Sequence, residues 1–101
     1  MVIVMYNYDI RPDKQEAFDQ WEEKSSLPFW KAQPEIKSIR VLSDLFGGIA
    51  HPQRTVLLKL DSMADFEQVL RNEKAKQLIL LFNSFTTNLK VQYLDLKYAD
   101  G

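Results

Sequence analysis

Two short segments of this chain are apolar on both sides of an extended backbone. In Val2 to Asp9, Val2, Val4, Tyr6 and Tyr8 fall on one face and Ile3, Met5 and Asn7 on the other. In Arg54 to Leu60, Val56, Leu58 and Leu60 oppose Thr55 and Leu57. β-Branched and aromatic residues dominate both segments, as suits buried, pleated backbone. Strands of this kind belong in the middle of a sheet, and something must cover each face.

The remaining segments supply the frame. After Val2 to Asp9, the Arg11-Pro12-Asp13 turn leads into a helical pattern, with Asp9 as a candidate cap and Pro12 suited to the first turn. Ala17, Phe18, Trp21 and Ser25 form its apolar stripe, and Pro28 is expected to end or bend it. Ile36 to Leu42 reads as a second strand, with Ile39 and Val41 on one face and Ser38 and Arg40 on the other. Gly47-Gly48 and Pro52 break the chain before the third strand, Arg54 to Leu60. Asp61-Ser62 offers two helix caps. Phe66, Val69 and Leu70, then Leu78, Ile79, Leu81, Phe82 and Phe85, give either one interrupted helix or two short ones. Thr86-Thr87-Asn88 closes that region, and Leu89 to Tyr98 is the fourth strand.

The order β-α-β-β-α-β predicts an α+β, ferredoxin-like fold, a four-stranded antiparallel sheet with both helices on one face. That topology puts the first and third strands, the two most apolar, in the middle. Helices on one face leave the other uncovered, and a second copy packed sheet to sheet is the simplest cover. A homodimer is therefore expected. The alternative leaves Tyr6 and Tyr8 at the surface with their hydroxyls in water.

The 101 residues make one domain, 1–101, with one modest core. Thirteen basic and fourteen acidic residues leave a net charge of −1, so charge provides no drive toward nucleic acid or an anionic membrane. The absence of cysteine excludes disulfides, thiolate nucleophiles and thiolate metal sites. The apolar start is too short for a membrane span or a signal core, and the expected location is cytoplasmic.

The element order, the aromatic first helix with Trp21, "AQPEIKSIRVL" and "LLKLDSMADFEQVLRNEKAKQL" together resemble the dimeric α+β barrel superfamily, specifically its antibiotic biosynthesis monooxygenase (ABM) domains. The likeness covers nearly the whole chain, with Glu35 where a glycine is usual. It implies a cavity between sheet and helices and a homodimer. It also implies a small apolar or aromatic ligand, and either cofactor-independent monooxygenation, haem binding and breakdown, or a use not yet known. Fold alone does not choose among them. The haem-degrading branch resembles this chain at Asn7. It also uses a tryptophan and a ligating histidine on the second helix, positions that fall near Val69 and Ile79, so that chemistry is not expected.

Asn7 and His51 are the candidate catalytic residues. If the Asn7 face meets the helices, its amide enters the cavity and orients a substrate carbonyl or phenolate; otherwise it is a strand-end amide bonded to backbone or water. His51, the only histidine, lies in the loop between the second and third strands. It is either a proton carrier near neutral pH or a solvated loop residue. Trp21, Phe66 and Phe82 are the candidate substrate-binding residues, aromatics that equally serve as core. Glu22-Glu23-Lys24 reads as a solvated helix face, and nothing sets Arg40 and Arg54 apart from surface charges. No metal or other cofactor is expected, since one histidine and scattered carboxylates make no metal site. The leading expectation is a cofactor-independent monooxygenase. A non-enzymatic ligand-binding or interaction module, or an isomerase or lyase using the same pocket, remains open.

Overall fold

The computed structural model describes residues 1–47 and 52–100. Strand β1 (Val2–Ile10) leads through a 3₁₀ turn (Pro12–Lys14) into helix α1 (Gln15–Trp21). A π-helical turn (Glu22–Ser26) and α2 (Leu27–Lys31) continue the same rod. Strands β2 (Ile36–Ser43) and β3 (Arg54–Leu60) follow, then α3 (Met63–Leu70), α4 (Glu73–Phe85) and β4 (Thr86–Asp95). The strand order is β2-β3-β1-β4, with β1 antiparallel to both β3 and β4 and β2 antiparallel to β3. The two doubly apolar strands are central and the more charged ones lie at the edges, as their patterning requires. This is the expected ferredoxin-like α+β architecture.

The helices cover the face carrying Val4, Tyr6 and Tyr8. Two clusters form there. Val4, Ile36, Leu58, Leu60, Phe66 and Val69 make one, and Tyr8, Ile10 and Phe18 make the other, with Phe82 and Phe85 packed against it. Tyr8 is fully buried, its ring edge-on to Phe82 at 4.7 Å and to Phe18 at 6.0 Å. Tyr6 is half-buried on the same face, so neither tyrosine is the wet surface residue that the alternative reading required.

Several local expectations are corrected. Of the two outcomes expected at Pro28, ending or bending, the structure removes the first: the helix continues past it. Leu27 N–H bonds to Glu22 O, five residues back, and the chain widens by one residue before the proline ring enters a fresh turn. A wider turn spares the clash between a proline ring and the carbonyl four residues earlier. Asp9 caps no helix. Its carboxylate accepts from Gln53 N–H (2.8 Å) and from Asn88 Nδ2 (2.9 Å), tying the end of β1 to both neighbouring strands. Ser62 is the cap before α3, its Oγ accepting from Asp65 N–H. The fourth strand starts at Thr86 rather than Leu89 and stops at Asp95. Thr86 and Thr87 already pair with Ile10 and Asp9.

Two bulges set which side chains reach the helices. Asn7 pairs with Lys90 but Asp9 with Thr87, so β4 carries an extra residue, with Asn88 at φ +57°. The extra residue reverses the alternation of β4 and brings Leu89, Val91 and Tyr93 to the helix-covered side. In β2 the extra residue is Lys37, which lets Ile36 share a face with Ile39 and Val41.

Candidate functional site

Between the two core clusters lies a half-open cavity of about 250 Å³. The sheet contributes Tyr6, Tyr8, Val56 and Leu58 to its floor. Trp21, Phe66 and Phe82, the three residues singled out as ligand-binding candidates, all stand in its walls. Their aromatic character thus serves packing and lining at once: Phe66 is buried in the first cluster, while Trp21 and Phe82 pack on the second. Ile79, which falls near a haem-branch position, also lines the cavity, whereas Val69 lies in the core.

Asn7 is placed elsewhere. It sits on the opposite, helix-free face, where its Oδ1 accepts from Thr55 Oγ1 at 2.7 Å. The structure therefore takes the condition attached to it the other way: the Tyr6–Tyr8 face, not the Asn7 face, meets the helices. The partner of that oxygen is a side chain on the neighbouring strand. His51 lies outside the described residues.

The polar end of the cavity comes from residues read as surface charges. Glu22 lines the cavity with its side chain only 15 % exposed, so it does not belong to a solvated helix face. Arg54, 16 % exposed, reaches across from β3. Its Nη1 donates to Glu22 Oε1 at 3.3 Å and its Nη2 to Asp19 Oδ1 at 3.0 Å, and its guanidinium lies 5.7 Å from the centre of the Phe18 ring. Asp19 and Glu22 present themselves together because residues three apart share a helix face. Burial pushes the Glu22 carboxyl above its ordinary 4.5. Arg54 opposes that shift and Asp19 adds to it, and burial wins.

Among the described residues, two buried polar atoms at this end have no hydrogen-bond partner, Tyr8 Oη and Trp21 Nε1. The Tyr8 hydroxyl is close enough to Glu22 for each group to perturb the other, yet it misses hydrogen-bond geometry. Burial above all, then the Glu22 charge, raises the Tyr8 pKa, and burial does the same at Tyr6, so both stay protonated. The other indole is satisfied: Trp30 Nε1 donates to Ser26 Oγ at 3.2 Å. The π turn thus lies along the cavity wall, from Glu22 to Ser26. Among the described residues no cluster of three or more histidine, cysteine, aspartate or glutamate side chains could hold a metal. Also among them, no helix is long and apolar enough to cross a membrane.

The sequence did carry a sign of Glu22. Phe18, Trp21, Glu22 and Ser25 stand at i, i+3, i+4 and i+7, so the acid lies on the apolar stripe itself. Arg54 gave no comparable sign, since its partners lie more than thirty residues away in sequence.

No protein-family model and no curated protein matches the sequence. Solved structures match along almost the whole chain. HapK from Hahella chejuensis superposes with a TM-score of 0.79 at 15% identity, covering 100% of both chains. A candidate antibiotic biosynthesis monooxygenase from Deinococcus radiodurans gives 0.76 at 16%, covering 100% of this chain and 97% of that one. A variant of SnoaB, a cofactor-independent oxygenase from Streptomyces nogalater, gives 0.79 at 9%, covering 97% and 94%. At such identities the likeness is one of fold. The chain has the ferredoxin-like α+β fold that these antibiotic biosynthesis monooxygenase-like proteins share.

Proposed function

We propose that the cavity binds a small, flat, largely apolar molecule and that the protein acts on it as a cofactor-independent monooxygenase. The observation that carries this reading is the apolar cavity between sheet and helices with a single carboxylate, Glu22, in its wall. Apolar lining with few placed polar groups is the usual character of a ligand site. The fold shared with a protein named as a cofactor-independent oxygenase supports the same choice of chemistry.

In this reading the substrate supplies the electrons. Loss of a proton from an activated ring carbon or hydroxyl leaves a delocalised anion. That anion passes one electron to O₂, and the resulting radical pair combines to a peroxide anion, which takes back the proton to become a hydroperoxide. Loss of water then leaves a carbonyl, so that R₂CH₂ + O₂ gives R₂C=O + H₂O. Trp21, Phe66 and Phe82 would hold the ring plane and keep water from the radical pair. Asn7 takes no part, its amide being on the far side of the sheet. The protein works as a homodimer in which a second copy covers that far side.

Oxygen uptake with anthrone, without added metal or flavin, tests the reading. One O₂ should be consumed per anthrone. Ile79→Trp, which fills the cavity from α4, should slow uptake on the order of 10²-fold by misplacing the substrate. Anthrone binding with no oxygen uptake would instead favour a non-enzymatic ligand-binding protein. The size of the cavity, about 250 Å³, speaks for that second reading, since ligand pockets usually run from about 300 Å³ upward.

A further inference from the structure

Glu22 is an acid in an apolar wall, and such a group needs compensation. Arg54 compensates it only in part, because it reaches one oxygen, Oε1, through a 3.3 Å contact and shares its other nitrogen with Asp19. Among the described residues Glu22 Oε2 accepts no hydrogen bond. The groups facing Glu22 are Tyr8 from β1, Arg54 from β3 and Asp19 from α1, which with Glu22 itself sum to a charge of −1 when both acids are ionised. Trp21 Nε1 stands unpartnered one residue away. The Tyr8 hydroxyl stands close to the carboxylate but misses hydrogen-bond geometry, and a neutral donor from a ligand would complete its partners. An ammonium group would have to be stripped of water beside the Arg54 guanidinium, at much greater cost.

We propose that Glu22, positioned by Arg54, is the proton-accepting group of the cavity, and that it selects ligands carrying a weakly acidic hydroxyl, a phenol or an enol. This rests on reading the cavity as a ligand site. The hydroxyl donates to the free Glu22 oxygen. In turnover the ligand O–H bond breaks, the proton moves to Glu22, and the electron pair stays on the ligand oxygen as a delocalised phenolate or enolate. The total charge of the pocket is unchanged by this step. Glu22 stands on the apolar stripe of α1 and opens the π turn that follows, a common setting for functional sites.

Binding titrations with 2-naphthol, 2-methoxynaphthalene and 2-naphthylmethylamine separate the two claims. The wild-type protein should bind the naphthol roughly tenfold or more tightly than the ether, as a hydrogen bond to a charged acceptor implies. Glu22→Gln should lose most of the preference for naphthol over the ether. Arg54→Gln should lose the preference at neutral pH and regain it at higher pH, as the less supported carboxyl ionises later, while Arg54→Lys should keep it. In the wild type the preference should shrink as pH falls and Glu22 takes up its proton. Failure of wild type to bind any of the three would overturn the ligand-site reading itself. Binding of naphthol and ether with equal affinity would overturn only the role of Glu22. So would tighter binding of the amine, a preference that survives Glu22→Gln, or one that does not change between about pH 4 and 8.

Discussion

Glu22 shows how one residue changes meaning on folding. In sequence it opens Glu22-Glu23-Lys24, which reads as a solvated run, although its i+4 spacing from Phe18 puts it on the apolar stripe. In the structure Glu23 and Lys24 are exposed, and Glu22 is held between Arg54 and the cavity. The consequence for stability has a definite sign. Burial raises the proton affinity of Glu22 in the native protein above that of the unfolded chain. The native state therefore gains from its protonation at acid pH, and that gain is lost as pH rises through the native titration. Glu22→Gln cannot ionise. Its melting temperature relative to wild type should rise between about pH 4 and 7. Thermal melts across that range check this, and a difference that falls with pH would contradict it. Asn7 is the opposite case. Strand alternation showed which residues share its side of β1, but two apolar sides gave no means of telling which one the helices cover.

Element boundaries were legible where the sequence punctuates the chain strongly. Arg54–Leu60, a cap at Asp61-Ser62 and an interruption near Asn72-Glu73 all follow from local chemistry, and the structure places the cap at Ser62 and the break at Arg71-Asn72. The bulges were not legible, because an extra residue in one strand is defined by its partner. The bulge in β4 rests on Asn88, which occupies the left-handed region at φ +57° and donates to Asp9. Asparagine tolerates that conformation and a β-branched residue does not. Asn88→Val should destabilise the protein by about 1–2 kcal/mol from backbone strain, with roughly 1 kcal/mol more from the lost hydrogen bond. A lower denaturation midpoint with an unchanged slope is the expected result, and an unaltered midpoint would show that the bulge relaxes. The π turn belongs to the same class. Pro28 announces a disturbance, but whether the helix stops or widens depends on Phe29 and Trp30 having a surface to pack on.

At the scale of the molecule, the helix-free face is the unfinished part. Ile3, Met5, Leu57, Leu42 and Leu94 make it apolar along its middle, with Asn7 bonded to Thr55 among them. Leu42 and Leu94 extend the apolar surface onto the edge strands, which also carry the cations Arg40 and Lys90, and Lys59 lies near the end of β3. An apolar centre within a polar rim is the form of a protein interface. The proposed homodimer should sediment at twice 11.8 kDa at micromolar concentration. Leu57→Arg, opposite Met5 on the central strands, should yield a monomer of 11.8 kDa. A wild-type protein that stays at 11.8 kDa would remove the dimer.

Periodicity, turn residues and the greasiness of two strands were enough to determine the order of elements, the centre of the sheet and the need for cover on both of its faces, because these depend on neighbours along the chain. Which face the helices took, where the bulges fell and that Glu22 would meet Arg54 beside a cavity were decided only in three dimensions. Those outcomes depend on side chains brought together from distant strands and helices, and a charge loses its water only when such neighbours close around it.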